Sequence, residues 1–98
     1  MKLKEMIKDV PIKKPDFSQI PDCFISGIAD HSDEVQKGGL FIAIQGHQWD
    51  GHDFIPEAIE KGAAVIVGEK DLNPGIPYIQ VENARSALSQ IAKAYYRN

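Results

Sequence analysis

The side chains best suited to chemistry are concentrated in one polar loop, between Gly46 and His52. In this loop His47 can donate a hydrogen bond to a phosphate or sugar hydroxyl, and Gln48 can pair with an amide-like ring edge. Trp49 is the only tryptophan of the chain, and its indole could either cover a ligand ring or anchor the loop. These residue types indicate that the loop binds a ligand rather than catalysing a reaction.

The second half of this loop is typical of a turn. Asp50 is expected to bond the following backbone, Gly51 to adopt a positive φ, and His52 to bond backbone groups. The alternative is a metal site, whose imidazole and carboxylate ligands would be His47, Asp50, His52 and Asp53. Because the spacing of these residues matches no compact zinc pattern, we predict a turn and no metal.

Sequence motifs for catalysis are missing from the chain. It contains no Gly-x-Ser-x-Gly nucleophile turn, no His-Glu-x-x-His helix and no Gly-rich loop ending in Lys-Ser or Lys-Thr. We therefore predict no catalytic residue in this chain and no nucleotide triphosphate site of the P-loop kind.

Composition limits the possible partners. The formal net charge is -3 and no stripe of lysine and arginine is present, which argues against a nucleic-acid partner. No apolar run approaches the ~20 residues of a membrane span, so no membrane partner is expected. The single cysteine, Cys23, fits a reducing, cytoplasmic setting. A polyphosphate ligand is still compatible with this composition, since backbone amides hold phosphate without a basic surface.

Hydrophobic spacing predicts the elements that must position the loop. Apolar residues at helical spacing predict a short helix over residues ~2–9, which Pro11 ends. The prolines that follow predict an extended linker from Pro11 to Pro21. A strand is predicted over residues 24–28, weakened by Gly27.

The central part of the chain has the pattern of a right-handed βαβ unit. Its strands cover residues 40–44 and 63–67, which are continuous apolar runs typical of strands buried on both faces. Its helix covers residues ~54–61, with Asp53 as N-cap and Gly62 as the left-handed residue that ends it.

A third strand over residues 77–81, on the edge side of the sheet, and a helix over ~83–96 capped by Asn83 complete the prediction. The 98 residues suffice for a single domain. We predict an α/β fold in three layers with a mostly parallel sheet. Residues 1–21 form a helix and a proline-rich lead-in, and residues 22–98 form the α/β part.

The position of the Gly46–His52 loop favours a ligand site. It leaves the carboxyl end of strand 40–44 and enters a helix N-terminus, the edge at which open α/β sheets bind ligands, and free N–H groups there would attract an anion. A second loop, His31-Ser32-Asp33-Glu34, leaves strand 24–28. If the two strands are neighbours, Ser32 can reach the same ligand; otherwise the second loop is a solvated turn.

A longer pattern extends over about residues 28 to 67, and the helix ending Ala94-Tyr95-Tyr96 continues it. Its members are Ser32, Val35, Gly38, Leu40-Phe41, Ala43, Gly46, Asp50-Gly51-His52, Phe54-Ile55, Ala58 and Gly62-Ala63. This pattern resembles the N-terminal domain of the Mur ligases, the ATP-dependent enzymes that build the peptide stem of bacterial cell-wall precursors. Within the family it is most similar to the UDP-N-acetylmuramyl-tripeptide synthetases, which add the third amino acid.

The resemblance implies a role for each candidate residue. In Mur ligases this domain binds the uridine nucleotide of the precursor, a central domain binds ATP, and a third domain binds the incoming amino acid. Carried over by position, Ser32 and the stretch His47-Gln48-Trp49 would contact the uridine diphosphate. Asp30 would lie at a backbone contact to the uracil region.

The resemblance also implies the partners of this domain. They would be the precursor UDP-N-acetylmuramyl-dipeptide and the remaining ligase domains. No cofactor is expected in this domain, because ATP and Mg²⁺ would bind the central domain, whose Gly-rich ATP loop is absent from these 98 residues.

The family pattern changes in the second loop. Mur ligases usually have Asp-Ser-Arg where this chain has His31-Ser32-Asp33, so an acid replaces the arginine. Near a surface, two like unit charges ~4 Å apart repel each other by on the order of 4 kcal/mol, which would weaken binding of a diphosphate. This change supports an alternative function, a divergent stand-alone interaction domain of the same fold without ligase activity.

Overall fold

The computed structural model describes residues 1–97, which form a five-stranded sheet between helices. The helices are α1 (Leu3–Ile7), α2 (Ile55–Glu60) and α3 (Ala84–Arg97). The strands are β1 (Ile12–Lys14), β2 (Ile28–Ala29), β3 (Leu40–Ile42), β4 (Val65–Gly68) and β5 (Tyr78–Val81). Short 3-10 helices lie in the connections at Phe17–Gln19, Ser32–Glu34 and Gly51–Phe54.

The strand order in the sheet is β1-β5-β4-β3-β2. Strands β2 to β5 are parallel, so all four end at the same edge, and β1 is antiparallel to β5. Ile28 of β2 pairs with Leu40 of β3, and Phe41 of β3 pairs with Ile66 of β4. This mostly parallel sheet confirms the predicted fold class, and it makes the two strands that precede the candidate loops direct neighbours.

The hydrophobic core lies on both faces of the sheet. Leu40 and Ile42 of β3 are fully buried in a cluster that includes the inner faces of α1 and α3. Phe41, which points the opposite way along the same strand, packs in a second cluster with Ala58 of α2. A strand that is apolar on both faces therefore lies between two helical layers, as the continuous apolar run predicted.

The proline-rich lead-in differs from the prediction. Part of it, Ile12–Lys14, is the strand β1, and Ile12 pairs with Val81 of β5. Pro11–Pro21 is therefore more than a linker, and β5 is an inner strand instead of the predicted edge strand. Three residues between prolines are too few to show a strand period, and the pairing partner decides the conformation.

The first predicted strand lies further along the chain than expected. Only Ile28 of the predicted residues 24–28 belongs to β2. The preceding segment pairs with the N-terminus instead, since Leu3 N donates to Cys23 O at 2.8 Å and Ile25 N donates to Met1 O at 2.7 Å. The strand prediction is therefore wrong for most of residues 24–28, because Phe24 forms only an isolated bridge with Lys2 and residues 25–27 belong to no strand.

The start of α2 also differs from the prediction. A 3-10 helix over Gly51–Phe54 precedes it, and Asp53 is exposed and does not act as its N-cap. Asp50 instead caps the 3-10 helix, because its carboxylate accepts the N–H of His52 at 3.0 Å. The capping carboxylate therefore lies three residues before the predicted one, because hydrophobic spacing alone does not reveal the 3-10 helix.

The remaining helix ends agree with the prediction. Gly62 has a φ of +103° where α2 ends, and Asn83 caps α3 by accepting the N–H of Ser86 at 2.9 Å. Within residues 1–97, no helix combines the length and apolar character that a membrane crossing needs.

Truncation of Ile42 tests the account of the core. Ile42 is fully buried in the middle of the sheet, so Ile42→Ala should lower the free energy of unfolding by about 2–5 kcal/mol, measured by urea denaturation. Leu72→Ala is the matched control, because Leu72 is 41% exposed and its loss should change stability by less than about 0.5 kcal/mol. Equal effects of the two substitutions would contradict the assigned layers.

Candidate functional site

An open cavity of about 570 Å³ lies at the edge of the sheet where β2 and β3 end. Both candidate loops line it, and so do residues of α2 and α3. The apolar part of the lining comes from Phe41, Ile44, Trp49 and Phe54. The other lining residues are Asp30, His31, Ser32, Asp33, Gly46, Gly51, Glu57 and Arg85.

The structure brings three of the five predicted site residues to this cavity. Asp30, Ser32 and Trp49 line it, whereas His47 and Gln48 do not. His47 and Gln48 are exposed in a tight turn, closed by the N–H of Gly46, which donates to Trp49 O at 2.7 Å. Their contact with a ligand remains a prediction that requires the ligand to extend beyond the cavity mouth.

Trp49 stands at the cavity mouth with most of its side chain in solvent. It is 68% exposed, and its ring lies 6.3 Å from that of Phe54, tilted by 51°. Of the two roles considered for this indole, a buried anchor is wrong because the side chain is not buried. An exposed aromatic pair beside a cavity is a surface on which a planar ligand can stack.

Ser32 is held in place by an acid that the sequence did not single out. The Ser32 side chain is buried, and its Oγ donates a hydrogen bond to Oε2 of Glu57 on α2. Glu57 lies in the first turn of α2. The structure therefore adds it to the site as the partner of Ser32.

The charges at the cavity are unequal in the described part of the chain. Asp30, Asp33 and Glu57 contribute carboxylates to the lining, and Arg85 contributes a guanidinium. Arg85 was missed because an exposed residue in the first turn of a helix has no periodic signal. One signal could have found it: β5 ends at the same edge as β2 and β3, so the first turn of the following helix begins there.

The Asp50-Gly51-His52 turn connects the candidate loop to the next strand of the sheet. The imidazole of His52 is buried, and its Nε2 accepts the backbone N–H of Glu69 at 3.0 Å. Because Nε2 accepts, Nδ1 carries the proton and donates it to Asp50 Oδ1 at 2.6 Å. The predicted bond from His52 to the backbone is confirmed, and it reaches the residue that follows β4.

Gly51 has a different role from the one predicted. Its φ is not positive, but a Cβ at this position would lie 2.5 Å from the backbone nitrogen of Ile44. Glycine is required because the returning chain crosses directly over the backbone of Ala43 and Ile44, just after β3.

Asp50 is stabilised in its charged form. Although burial opposes ionisation, hydrogen bonds from Lys70 Nζ, at 2.5 Å, and from His52 hold the pKa of the Asp50 carboxyl well below its usual range. The same bond raises the pKa of Lys70. Burial raises the pKa of the nearby Tyr78 hydroxyl to about 12, and the negative charges of Asp71 and Glu69 add to this effect.

These hydrogen bonds bear on the predicted attraction of an anion to the helix starts. The first amides of the turn before α2 are already used by Asp50, and Glu69 accepts the N–H of Ala84 at the start of α3 at 2.7 Å. The helix starts therefore offer an anion fewer free N–H groups than predicted.

Residues 1–97 contain no group of three or more His, Cys, Asp or Glu side chains arranged to hold a metal ion.

Comparison with known proteins identifies the family. The family model described as "Mur ligase family, catalytic domain" matches residues 24–96. The chain belongs to the Mur ligase family. This membership confirms the resemblance seen in the sequence pattern, and the matched region corresponds to the N-terminal domain of such a ligase.

Curated relatives share this region of the Mur ligases. An enzyme of Bacillus velezensis, UDP-N-acetylmuramoyl-L-alanyl-D-glutamate--2,6-diaminopimelate ligase, is 41% identical over 98% of this chain and 19% of its own length. Enzymes with the same name are 40% identical in Bacteroides fragilis, over 100% of this chain and 20% of the relative, and 35% identical in Lactiplantibacillus plantarum, over 98% and 20%. The chain thus spans about a fifth of the length of these relatives.

Solved Mur ligase structures share the fold. A crystal structure of MurF from Acinetobacter baumannii superposes with a TM-score of 0.77 at 24% identity, over 96% of this chain and 20% of that one. MurF from Thermotoga maritima, crystallised in complex with ADP, gives a TM-score of 0.61 at 35% identity, over 67% and 16%.

Substitution of Asp50 tests the turn in this Mur ligase domain. Asp50→Asn should lower the free energy of unfolding at neutral pH by about 1–3 kcal/mol, because it weakens charge-assisted bonds to Lys70 and His52. The folded-state pKa of Asp50 lies below the unfolded value of about 3.9. Its stabilising contribution is therefore complete above about pH 4 and is lost as the pH falls below it.

The measurement is urea denaturation between about pH 2 and pH 7. The wild type should lose stability in the acid part of this range more steeply than Asp50→Asn. Asp53→Asn is the control, since Asp53 is exposed and should change stability by less than about 0.5 kcal/mol. A larger effect of the control, or parallel acid limbs for the wild type and Asp50→Asn, would contradict the assignment.

Proposed function

We propose that this chain is the substrate-binding domain of an ATP-dependent cell-wall precursor ligase of the cytoplasm. It grips the uridine diphosphate of UDP-N-acetylmuramyl-dipeptide while other domains of the ligase add the third stem amino acid. The observation that carries the proposal is the cavity that joins Ser32 and Trp49 at the carboxyl edge of the sheet. In the reaction of the whole ligase, the role proposed for this chain is to hold the substrate.

The chemistry of the cavity supports a nucleotide ligand. Trp49 and Phe54 provide aromatic faces for a planar base, and Arg85 provides a cation for a phosphate. The names of these relatives include a UDP-linked substrate and 2,6-diaminopimelate, which supports the same substrate class for this chain. ATP and Mg²⁺ are proposed to bind outside this domain.

A second candidate function rests on the charges of the cavity. Asp30, Asp33 and Glu57 would face a diphosphate, and among residues 1–97 Arg85 is the only guanidinium that lines the cavity. This distribution supports a divergent interaction domain that has kept the fold but not the affinity for the nucleotide. The two functions differ in whether the wild-type chain binds UDP.

Trp49 fluorescence provides the direct test. A base stacked on the lone tryptophan should quench its emission in a saturable way as UDP or UDP-N-acetylmuramyl-dipeptide is added. By calorimetry, Trp49→Ala should weaken UDP binding by about tenfold, the range expected for loss of one base–aromatic stack. Phe24→Ala is the matched control, because Phe24 is 67% exposed and does not line the cavity. No quenching at saturating UDP-N-acetylmuramyl-dipeptide would favour the interaction domain.

Charge substitutions at the cavity test the position of the diphosphate. Arg85→Ala should weaken UDP binding by about tenfold or more, through loss of a charge-assisted bond. Asp33→Arg should strengthen it by about tenfold, since attraction replaces repulsion. Arg97→Ala, at the far end of α3, should have no effect. If calorimetry shows that Arg85→Ala and Asp33→Arg bind UDP with the wild-type affinity, as the control does, the diphosphate does not lie in this cavity.

A further inference from the structure

The hydrogen bond between Ser32 and Glu57 fixes the role that Ser32 can have toward a ligand. A serine hydroxyl has one proton to donate and two lone pairs that accept. Here the proton is directed to Oε2 of Glu57, an acceptor-only group when ionised. The Ser32 hydroxyl therefore has only lone pairs left for a ligand in the cavity.

The charge of Glu57 acts in the same direction. Glu57 lines the cavity together with Ser32, so a phosphate placed against Ser32 would meet a carboxylate and would find no free hydroxyl proton. A neutral N–H of the ligand meets neither obstacle, because it donates to the free lone pair and is attracted by the negative charge. Arg85, which comes from a different element, is the lining group that suits the anionic part of the ligand.

We propose that Glu57 is a positioning residue that makes Ser32 an acceptor, so that the site selects a pyrimidine with a ring N–H. This inference rests on the proposed function, since it concerns the base of the uridine nucleotide. Uracil carries a hydrogen on its N3, whereas cytosine, which has nearly the same shape, presents a lone pair there. With cytosine, two lone pairs would face each other and cytosine N3 would be left without a donor, which disfavours cytosine.

The experiment compares binding of UDP and CDP by calorimetry. In the wild type UDP should bind about tenfold more tightly than CDP, the range for one acceptor left unpaired. In Glu57→Ala the Ser32 hydroxyl can turn and donate to cytosine N3, so the ratio of the two affinities should fall severalfold. Ser32→Ala should reduce the ratio in the same way. Thermal unfolding of each variant verifies that it is folded.

Glu60→Ala is the matched control. Glu60 is an exposed acid at the end of the same helix that does not line the cavity, and its removal should leave the ratio unchanged. If UDP binds but Glu57→Ala keeps the wild-type ratio of the two affinities, this inference is overturned while the proposed function stands. If neither nucleotide binds the wild type, the proposed function fails and the inference fails with it.

Discussion

The imidazole of His52 occupies the space between two loops that leave neighbouring parallel strands. On one side it donates to Asp50, in the loop after β3, and on the other it accepts the N–H of Glu69, just after β4. The imidazole is buried, so the loss of either partner would leave a polar ring nitrogen without compensation. The contact of His52 with the segment after β4 therefore fixes the direction of the candidate loop. The exposed residues before Asp50 have no such structural role and can be used for binding.

This arrangement separates support from binding within a loop of seven residues. Asp50, Gly51 and His52 hold the turn, while Trp49 stands at the cavity mouth with most of its surface in solvent. The same separation appears in the second loop, where buried Ser32 is held by Glu57. In each case an acid holds the supporting structure, since Asp50 bonds His52 in the first loop and Glu57 of α2 bonds Ser32 in the second. Of these two acids, Glu57 lines the cavity and adds to the negative charge that a nucleotide ligand would meet there.

The sequence was most informative where a pattern has a single physical cause. The apolar run containing Phe41 predicted a central strand and three layers, because only a strand covered on both faces is apolar at every position. Asn83 and Gly62 marked helix ends for equally local reasons. Both candidate loops were found because the carboxyl ends of parallel strands lie at one edge of the sheet.

The features that were missed depend on contacts distant in sequence. Strand β1 exists because β5 offers it a partner, and Glu57 belongs to the site because α2 packs beside Ser32. Arg85 reaches the cavity from α3, 53 positions after Ser32 in the printed sequence. That Asp50 and not Asp53 is the capping residue has a more local cause. A 3-10 helix precedes α2, and Asp50 caps this 3-10 helix.

The most direct test of the central claim is an amide NMR titration of the uniformly ¹⁵N-labelled chain with UDP-N-acetylmuramyl-dipeptide. A nucleotide bound at the carboxyl edge of the sheet should shift the amide signals of Ser32 and of residues 46–52 in a saturable way. Amides on the opposite side of the molecule, such as that of Lys13 in β1, should stay in place. The claim is contradicted if the saturating ligand moves none of the loop signals, or moves only signals remote from the cavity.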